Sequence, residues 1–275
     1  MADCVNIWYF EVLALNFERK SKYDFYDLVE IMKILRSPDG CPWDRVQTHK
    51  SIRQDFIEET YEAIEAIDTE DTTLLREELG DVMLQVVFHS VMEEENGSFD
   101  ISDVCDEVCQ KLIVRHPHVF ADTIADTPEE VLKNWDQIKM QTKSQKSQSE
   151  VLGSVSKALP ALMYSQKIQK KAAKVGFDFE TADDALSKVG EELTELKSAI
   201  DNNDTDNMSE ELGDLLFSVV NVARFIKVDS EKALYDATKK FTERFSKVEA
   251  LCNERGIDMT TAPMSELDSL WDEVK

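Results

Sequence analysis

The chain is 275 residues long, 42% hydrophobic, and carries a formal charge of −25 from 56 acidic and 31 basic residues. That length and apolar content suit one or two domains with a sizeable core, while the acidic excess argues against nucleic-acid or anionic-membrane binding, which needs a broad cationic footprint. Only 8 glycines and 6 prolines punctuate the chain, and helix formers are plentiful, so an all-α fold is expected.

The apolar start from Val5 to Leu15 is broken by Asn6 and Glu11 and preceded by Asp3, the wrong pattern for a secretory signal. No membrane span is expected elsewhere. Five cysteines, Cys4, Cys41, Cys105, Cys109 and Cys252, are odd in number and form no CxxC pair, which points to reduced thiols and a cytoplasmic setting. Residues 1–23 are read as an N-terminal extension to which the sequence assigns no role.

A first domain is placed at 24–142. Its Pro38-Asp39-Gly40-Cys41-Pro42-Trp43 stretch reads as a turn, with Trp43 either anchoring the loop in the core or forming a lid that stacks on a base. Periodic runs then predict helices over about 50–67 and 74–94 around a polar turn at 68–72, which makes them antiparallel neighbours. Further helices are expected near 103–115 and 129–142, the latter opening on Thr127-Pro128-Glu129-Glu130 with Thr as N-cap and Pro at the first position. A polar, low-complexity run places a flexible linker at 143–156. The second domain, 157–275, opens with a helix near 159–174 and ends with helices near 230–255 and 264–274.

Displacing the sequence by 133 positions brings one region of the two domains into register without gaps: Glu58, Glu59 and Glu62 fall on Glu191, Glu192 and Glu195, and Glu77-Glu78-Leu79-Gly80-Asp81 on Glu210-Glu211-Leu212-Gly213-Asp214. Intervening apolar positions agree as well, so the chain is a tandem duplication. Within each copy, Glu59 with Glu62 and Glu78 with Asp81 are spaced to share a helix face. Glu62 lies six residues before Asp68 and Glu78 six after Thr72, so the four carboxylates converge at one depth of the hairpin.

Four clustered anions repel one another unless a cation joins them. Oxygen-only donors suit Mg²⁺, with Mn²⁺ as a possible substitute, and Mg²⁺ usually shares its shell with substrate phosphates. A solvated acidic face explains one such cluster about as well; identical spacing in two copies favours the metal site, formed by Glu59, Glu62, Glu78 and Asp81 and again by Glu192, Glu195, Glu211 and Asp214. A di-iron bundle requires Glu-x-x-His, and none of His49, His89, His116 or His118 has Glu three residues before it. A zinc site from His116, His118, Cys105 and Cys109 is disfavoured by the spacing.

Lys111 and Arg115 follow the first cluster four residues apart, and Lys240 and Arg244 the second. One such pair is most simply a solvated helix face; its recurrence favours contacts to phosphate oxygens.

Taken together, Cys41-Pro42-Trp43-Asp44, Glu58-Glu59-Thr60-Tyr61-Glu62, Glu78-Leu79-Gly80-Asp81 and Arg115-His116-Pro117-His118 resemble the amino-terminal half of the MazG family. Val175-Gly176-Phe177-Asp178, Glu191-Glu192-x-x-Glu195 and Glu211-Leu212-Gly213-Asp214 resemble its carboxyl-terminal half. The resemblance runs from about residue 24 to the end. It implies a tandem repeat of helical MazG-like domains, similar to dimeric dUTPase-like enzymes, that cleaves NTPs and dNTPs between the α and β phosphates with magnesium. By motif, it implies Glu192, Glu195, Glu211 and Asp214 as metal ligands, Lys240 and Arg244 on the phosphates, and Trp271 near the nucleotide; Trp271 fits a core aromatic equally. The carboxyl-terminal half is the better attested hydrolase in that family. The first half keeps its carboxylates together with Lys111, Arg115 and Trp135 in parallel positions. Phe179 departs from the tryptophan usual after Gly-Phe-Asp.

The expected activity is hydrolysis of nucleoside triphosphates to monophosphate and pyrophosphate, with nucleotide-pool housekeeping as its purpose. Glu191, beside the ligands, is the candidate for orienting the attacking water. The alternative is a non-catalytic helical module that binds a nucleotide or partner and regulates something else. A homodimer is expected, because so thin a helix pair buries its apolar faces best against another copy, in the chain or in a partner chain.

Overall fold

The computed structural model describes residues 17–275 apart from 124, 126, 129, 132, 133, 136, 137 and 139–146. Most of the N-terminal extension, part of the helix expected at 129–142 and the start of the expected linker lie outside the described residues. The chain divides into two compact units, Met1–Ile138 and Lys139–Lys275, and the described residues are helical with no strand.

The first unit contains α1 (Phe25–Arg36), α2 (Pro42–Val46), α3 (Arg53–Asp68), α4 (Thr72–Glu95), α5 (Ile101–Arg115) and α6 (Pro117–Phe120). The second contains α7 (Gln148–Gly153), α8 (Ala161–Ala173), α9 (Ala182–Asp201), α10 (Thr205–Phe225), α11 (Ser230–Arg255) and α12 (Met264–Glu273). None of these helices is long and apolar enough to cross a membrane.

The hairpins α3–α4 and α9–α10 are built by the same local chemistry. Asp71 accepts from the backbone N–H groups of Thr73 and Leu74 at 2.9 and 3.0 Å, and Asp204 accepts from Asn207 at 3.2 Å, so each caps the helix it precedes. Just before each cap the backbone turns left-handed, at Glu70 (φ 56) and Asn203 (φ 55), 133 positions apart. The repeat register extends into the core: Ile52 and Ala185, Ala66 and Ala199, and Val87 and Val220 are pairwise equivalent and each at most 1% exposed. Small Ala66 and Ala199 let the helices approach beside the turn; a larger side chain there overpacks the crossing.

In the first unit, Val29 and Met32 of α1 close over Ile52, Val87, Phe88, Val91 and Met92. Helix α1 starts on a capping box between Asp24 and Asp27. Its end is fixed by Arg36, which donates twice to Glu95 at 2.7 Å and to the carbonyl of Asp44 at 2.6 Å, binding the 37–47 loop to α4. Gly40 is required in that loop, since a Cβ would lie 2.2 Å from the carbonyl oxygen of Ile34. Trp43 on α2 is 57% exposed, so it does not anchor the loop in the core.

Of the expected linker, residues 147–156 are described and include a helix. Ser147 caps α7 by accepting from Glu150 at 3.2 Å, and Val151 and Val155 are buried, because apolar residues resume directly after the polar run. The Thr127 cap forms as expected, its hydroxyl accepting from the N–H of Glu130 at 3.3 Å.

Candidate metal centre and active site

Glu59 reaches from α3 towards Glu78 and Asp81 on α4, and one carboxylate oxygen of each lies within 4.8 Å of the others. Glu192 and Glu195 of α9 meet Glu211 of α10 within the same limit. The two sets are not superimposable: Glu62 stands outside the first close triad and Asp214 outside the second, although both charges are felt. In the first set, burial and then the charges of Asp81, Glu62 and Glu78 push the Glu59 carboxyl above its ordinary value. Glu78 is raised by burial and by Glu62 and Asp81. In the second, burial followed by Glu195, Glu192 and Asp214 raises Glu211. Carboxylates that resist ionisation because they are buried and crowd one another, on an all-oxygen donor set, fit a hard divalent cation.

Glu192 is 5% exposed and has a cation of its own. Lys188 donates to it at 2.6 Å and to Glu191 at 2.9 Å, and these bonds raise the Lys188 pKa, Glu192 contributing most. Sequence reasoning missed Lys188, although its i,i+4 spacing to Glu192 was visible. Glu191 itself faces solvent. At the position equivalent to Lys188 the first repeat carries Asp55.

The candidate cations take parallel places in the two units. The Arg115 guanidinium lies 5.5 Å above the Trp135 ring, and that of Arg244 6.0 Å above Trp271. Trp271 also packs on Phe241 at 5.2 Å and against the cluster of Val248, Cys252 and Leu270. His116 meets the Trp135 face edge-on at 4.8 Å. Lys111 and Lys240 are exposed. Among the described residues no ion pair joins Lys111, Arg115, Lys240 or Arg244 to any carboxylate, which leaves these cations available to an anion.

An open cleft of about 510 Å³ adjoins the second set, with Lys188 and Glu191 in one wall and Asp178 and Phe179 in the other. A second cleft, about 480 Å³, lies in the first unit beside Lys33 and Arg36. Those cations are already paired with Glu94 and Glu95, and it contains none of the clustered carboxylates.

A sequence profile of the MazG nucleotide pyrophosphohydrolase domain matches residues 47–120 and again 180–249, which bracket the two carboxylate sets. The chain belongs to the MazG family. It is 47% identical over 251 residues to the nucleoside triphosphate pyrophosphohydrolase/pyrophosphatase MazG of Thermotoga maritima, covering 91% of this chain and 95% of that protein. To the nucleoside triphosphate pyrophosphohydrolase of Escherichia coli K12 it is 45% identical over 253 residues, 90% of this chain and 95% of that one. The uncharacterized protein YabN of Bacillus subtilis is 45% identical over 259 residues, 94% of this chain but 53% of its own length. As a MazG protein the chain carries the domain twice, as the internal register requires.

Proposed function

We propose that this MazG protein hydrolyses nucleoside triphosphates, NTPs and dNTPs alike, to the monophosphate and pyrophosphate, with magnesium held by the carboxylate sets. The observation that carries this reading is the convergence of three carboxylates from two antiparallel helices around a buried one, Glu78 in the first unit and Glu192 in the second. The full-length relationship to proteins named nucleoside triphosphate pyrophosphohydrolases supports it.

Glu192, Glu195, Glu211 and Asp214 hold the metal in the second unit, and Glu59, Glu62, Glu78 and Asp81 in the first. Magnesium bound there supplies a Lewis acid for the phosphates and lowers the pKa of a coordinated water. Glu191 orients the attacking water, and Lys240 and Arg244 take the non-bridging oxygens and offset charge on the departing pyrophosphate. Trp271, steadied by Arg244 and Phe241, presents a flat face to the nucleotide. Lys111, Arg115 and Trp135 take the corresponding parts in the first unit, with the second set as the main one.

A homodimer in the cytoplasm completes the reading. Leu186, Leu193 and Ile200 recur every seven residues along α9 and are each more than half exposed in the single chain. Leu212 and Leu216 of α10 are 49% and 50% exposed. So many large apolar side chains on one hairpin call for a partner surface, and a second copy supplies it by symmetry.

The test is phosphorus NMR of a nucleotide panel with Mg²⁺, in the full-length protein and in the Glu192→Gln, Glu211→Gln double variant. Monophosphate with pyrophosphate is the expected product pair. Diphosphate with phosphate, or tight binding without turnover, overturns the assignment, and undiminished release from the double variant shows that the second set is not the main one.

A further inference from the structure

The strongest unassigned feature is an ion pair between residues far apart in sequence, Arg224 in the last turn of α10 and Asp178 in the loop between α8 and α9. The guanidinium bonds both carboxylate oxygens of Asp178, with the Nη1 to Oδ2 contact at 2.9 Å. Its Nε and Nη2 donate to Asn221 Oδ1 at 3.0 and 2.8 Å, and its plane lies 4.4 Å above the Phe225 ring. Arg224 is thus held on one edge and one face while the other edge grips Asp178, a geometry that a fork-shaped donor maintains and a point charge does not.

The grip fixes more than one residue. Asp178 Oδ1 also accepts the N–H of Phe179 at 2.9 Å. Upstream, Gly176 takes a left-handed conformation (φ 82) that ends α8, a backbone state glycine reaches without strain. Downstream, Thr181 and Asp184 form the capping box that starts α9. The segment 178–180 is therefore set between two fixed ends, and it forms one wall of the cleft whose other wall carries Lys188 and Glu191. Lys188, in the cleft wall, bonds the metal-set residue Glu192, so one side chain links the cleft to the candidate metal centre.

Charge decides which part of a triphosphate enters it. Arg224 is matched by Asp178, and Lys188, shared between Glu192 and Glu191, offsets one charge of that pair, so with Glu180 and Asp184 the cleft is net negative. Phosphates are disfavoured there and are better placed at the metal. The uncharged nucleoside end meets an exposed Phe179 ring and carboxylates able to accept from sugar hydroxyls. At the positions equivalent to Asp178 and Arg224 the first repeat has Arg45 and Val91, so this clasp belongs to the second unit alone.

We infer that the segment 178–180 is the nucleoside-side wall of the second site and that Arg224 is a positioning residue which holds it. This inference rests on the triphosphate pyrophosphohydrolase reading. It is tested in the full-length chain with Arg224→Ala, Arg224→Lys and Phe179→Ala, measuring kcat and KM for a nucleoside triphosphate, the inhibition constant of inorganic pyrophosphate, and the melting temperature. Arg224→Ala should raise KM about tenfold, which is the loss of about 1.4 kcal/mol of binding, with kcat lowered by no more than about twofold. Arg224→Lys should recover part of the affinity, and Phe179→Ala should raise KM in the same direction. Pyrophosphate, which has no nucleoside end, should inhibit all variants as it does the parent. An unchanged KM in folded Phe179→Ala overturns the inference even where Arg224→Ala does not fold, because that ring is 40% exposed and contributes little to the core. A parallel loss of pyrophosphate inhibition overturns it too, by showing that the phosphate end is disturbed. Failure of the parent protein to release pyrophosphate sinks the hydrolase reading instead, which keeps the two failures apart.

Discussion

Loading the carboxylate sets with magnesium should stabilise the fold, and by an amount that depends on pH in a defined direction. Burial and neighbouring carboxylates raise Glu211 in the second set, and Glu59 and Glu78 in the first. An acid raised in the folded state binds more protons there than in the unfolded chain. Its stabilising contribution is complete below the ordinary carboxylate pKa of about 4.5 and is lost as pH climbs through the raised value. The metal-free protein should therefore weaken as pH rises through that window, and the metal should restore what the charges remove. At free Mg²⁺ a hundredfold above its dissociation constant, linkage gives about 2.7 kcal/mol. For the second unit, Lys139–Lys275, an unfolding entropy of roughly 0.3 kcal/mol/K turns this into a rise of about 9 °C. Calorimetry of metal-stripped protein at pH 5 and pH 8, with and without Mg²⁺, measures the shift, and release of protons into weak buffer measures the competition between metal and proton. The larger shift is expected at pH 8, and the second unit's share should vanish in the Glu192→Gln, Glu211→Gln variant. No shift at pH 8, or one that the variant retains in full, refutes the claim that these side chains hold the cation.

Lys240→Ala and Arg244→Ala should each raise KM about tenfold or more while leaving the fold intact, since neither side chain makes an ion pair among the described residues; steady-state kinetics beside a thermal melt separates the two effects. Replacing Glu70 by Asn, the residue its counterpart Asn203 already supplies at positive φ, should stabilise the first unit by about 0.5–1 kcal/mol in urea titration, because Asn tolerates the left-handed region. His89 stacks on His49 with their Nδ1 atoms 2.7 Å apart, while His49 Nε2 meets Glu93 at 2.6 Å; burial and then the His49 charge depress the His89 pKa. The unfolded chain takes up that proton first, so the stability His89 contributes is whole above about pH 6.5 and lost as pH falls below it. His89→Gln should flatten the pH dependence of first-unit melting between pH 7 and pH 5.

What the sequence revealed and what it concealed divide along the range of the interactions. The hairpins were legible because their signals are local: acidic residues at three-residue spacing, apolar periodicity, and polar turns that the repeat shows twice. Helix α1 carries such a signal too, an Asp24 cap followed by Phe25, Leu28, Val29, Met32 and Leu35, outside the register that makes the hairpins stand out. Helix α7 was hidden by the polar run before it. Arg36 ties the loop that carries Trp43 to α4 by reaching Glu95 across 59 positions, and the hold on the 178–180 segment depends on Arg224 reaching back 46. No spacing rule announces either contact. The split of each carboxylate quartet into a close triad and an outlying fourth member was equally invisible, since it follows from side-chain direction within a face rather than from membership of that face.

The duplicated register also exposes where the two sites have diverged. Sharing the hairpin, the turn and the carboxylates, they differ at the helix position four residues before Glu59 and Glu192, where one carries Asp55 and the other Lys188. In the second unit a cation already sits 2.6 Å from the most buried carboxylate of the set, so part of the repulsion is relieved before any metal arrives. In the first unit an anion occupies the equivalent place and both Glu59 and Glu78 are pushed towards the protonated form. Carboxylates are raised in both sets, so both release protons to take a cation, and in the second set the incoming cation also meets a lysine already bonded to Glu192. One substitution at the edge of a conserved geometry thus gives two copies of the same constellation different conditions for loading.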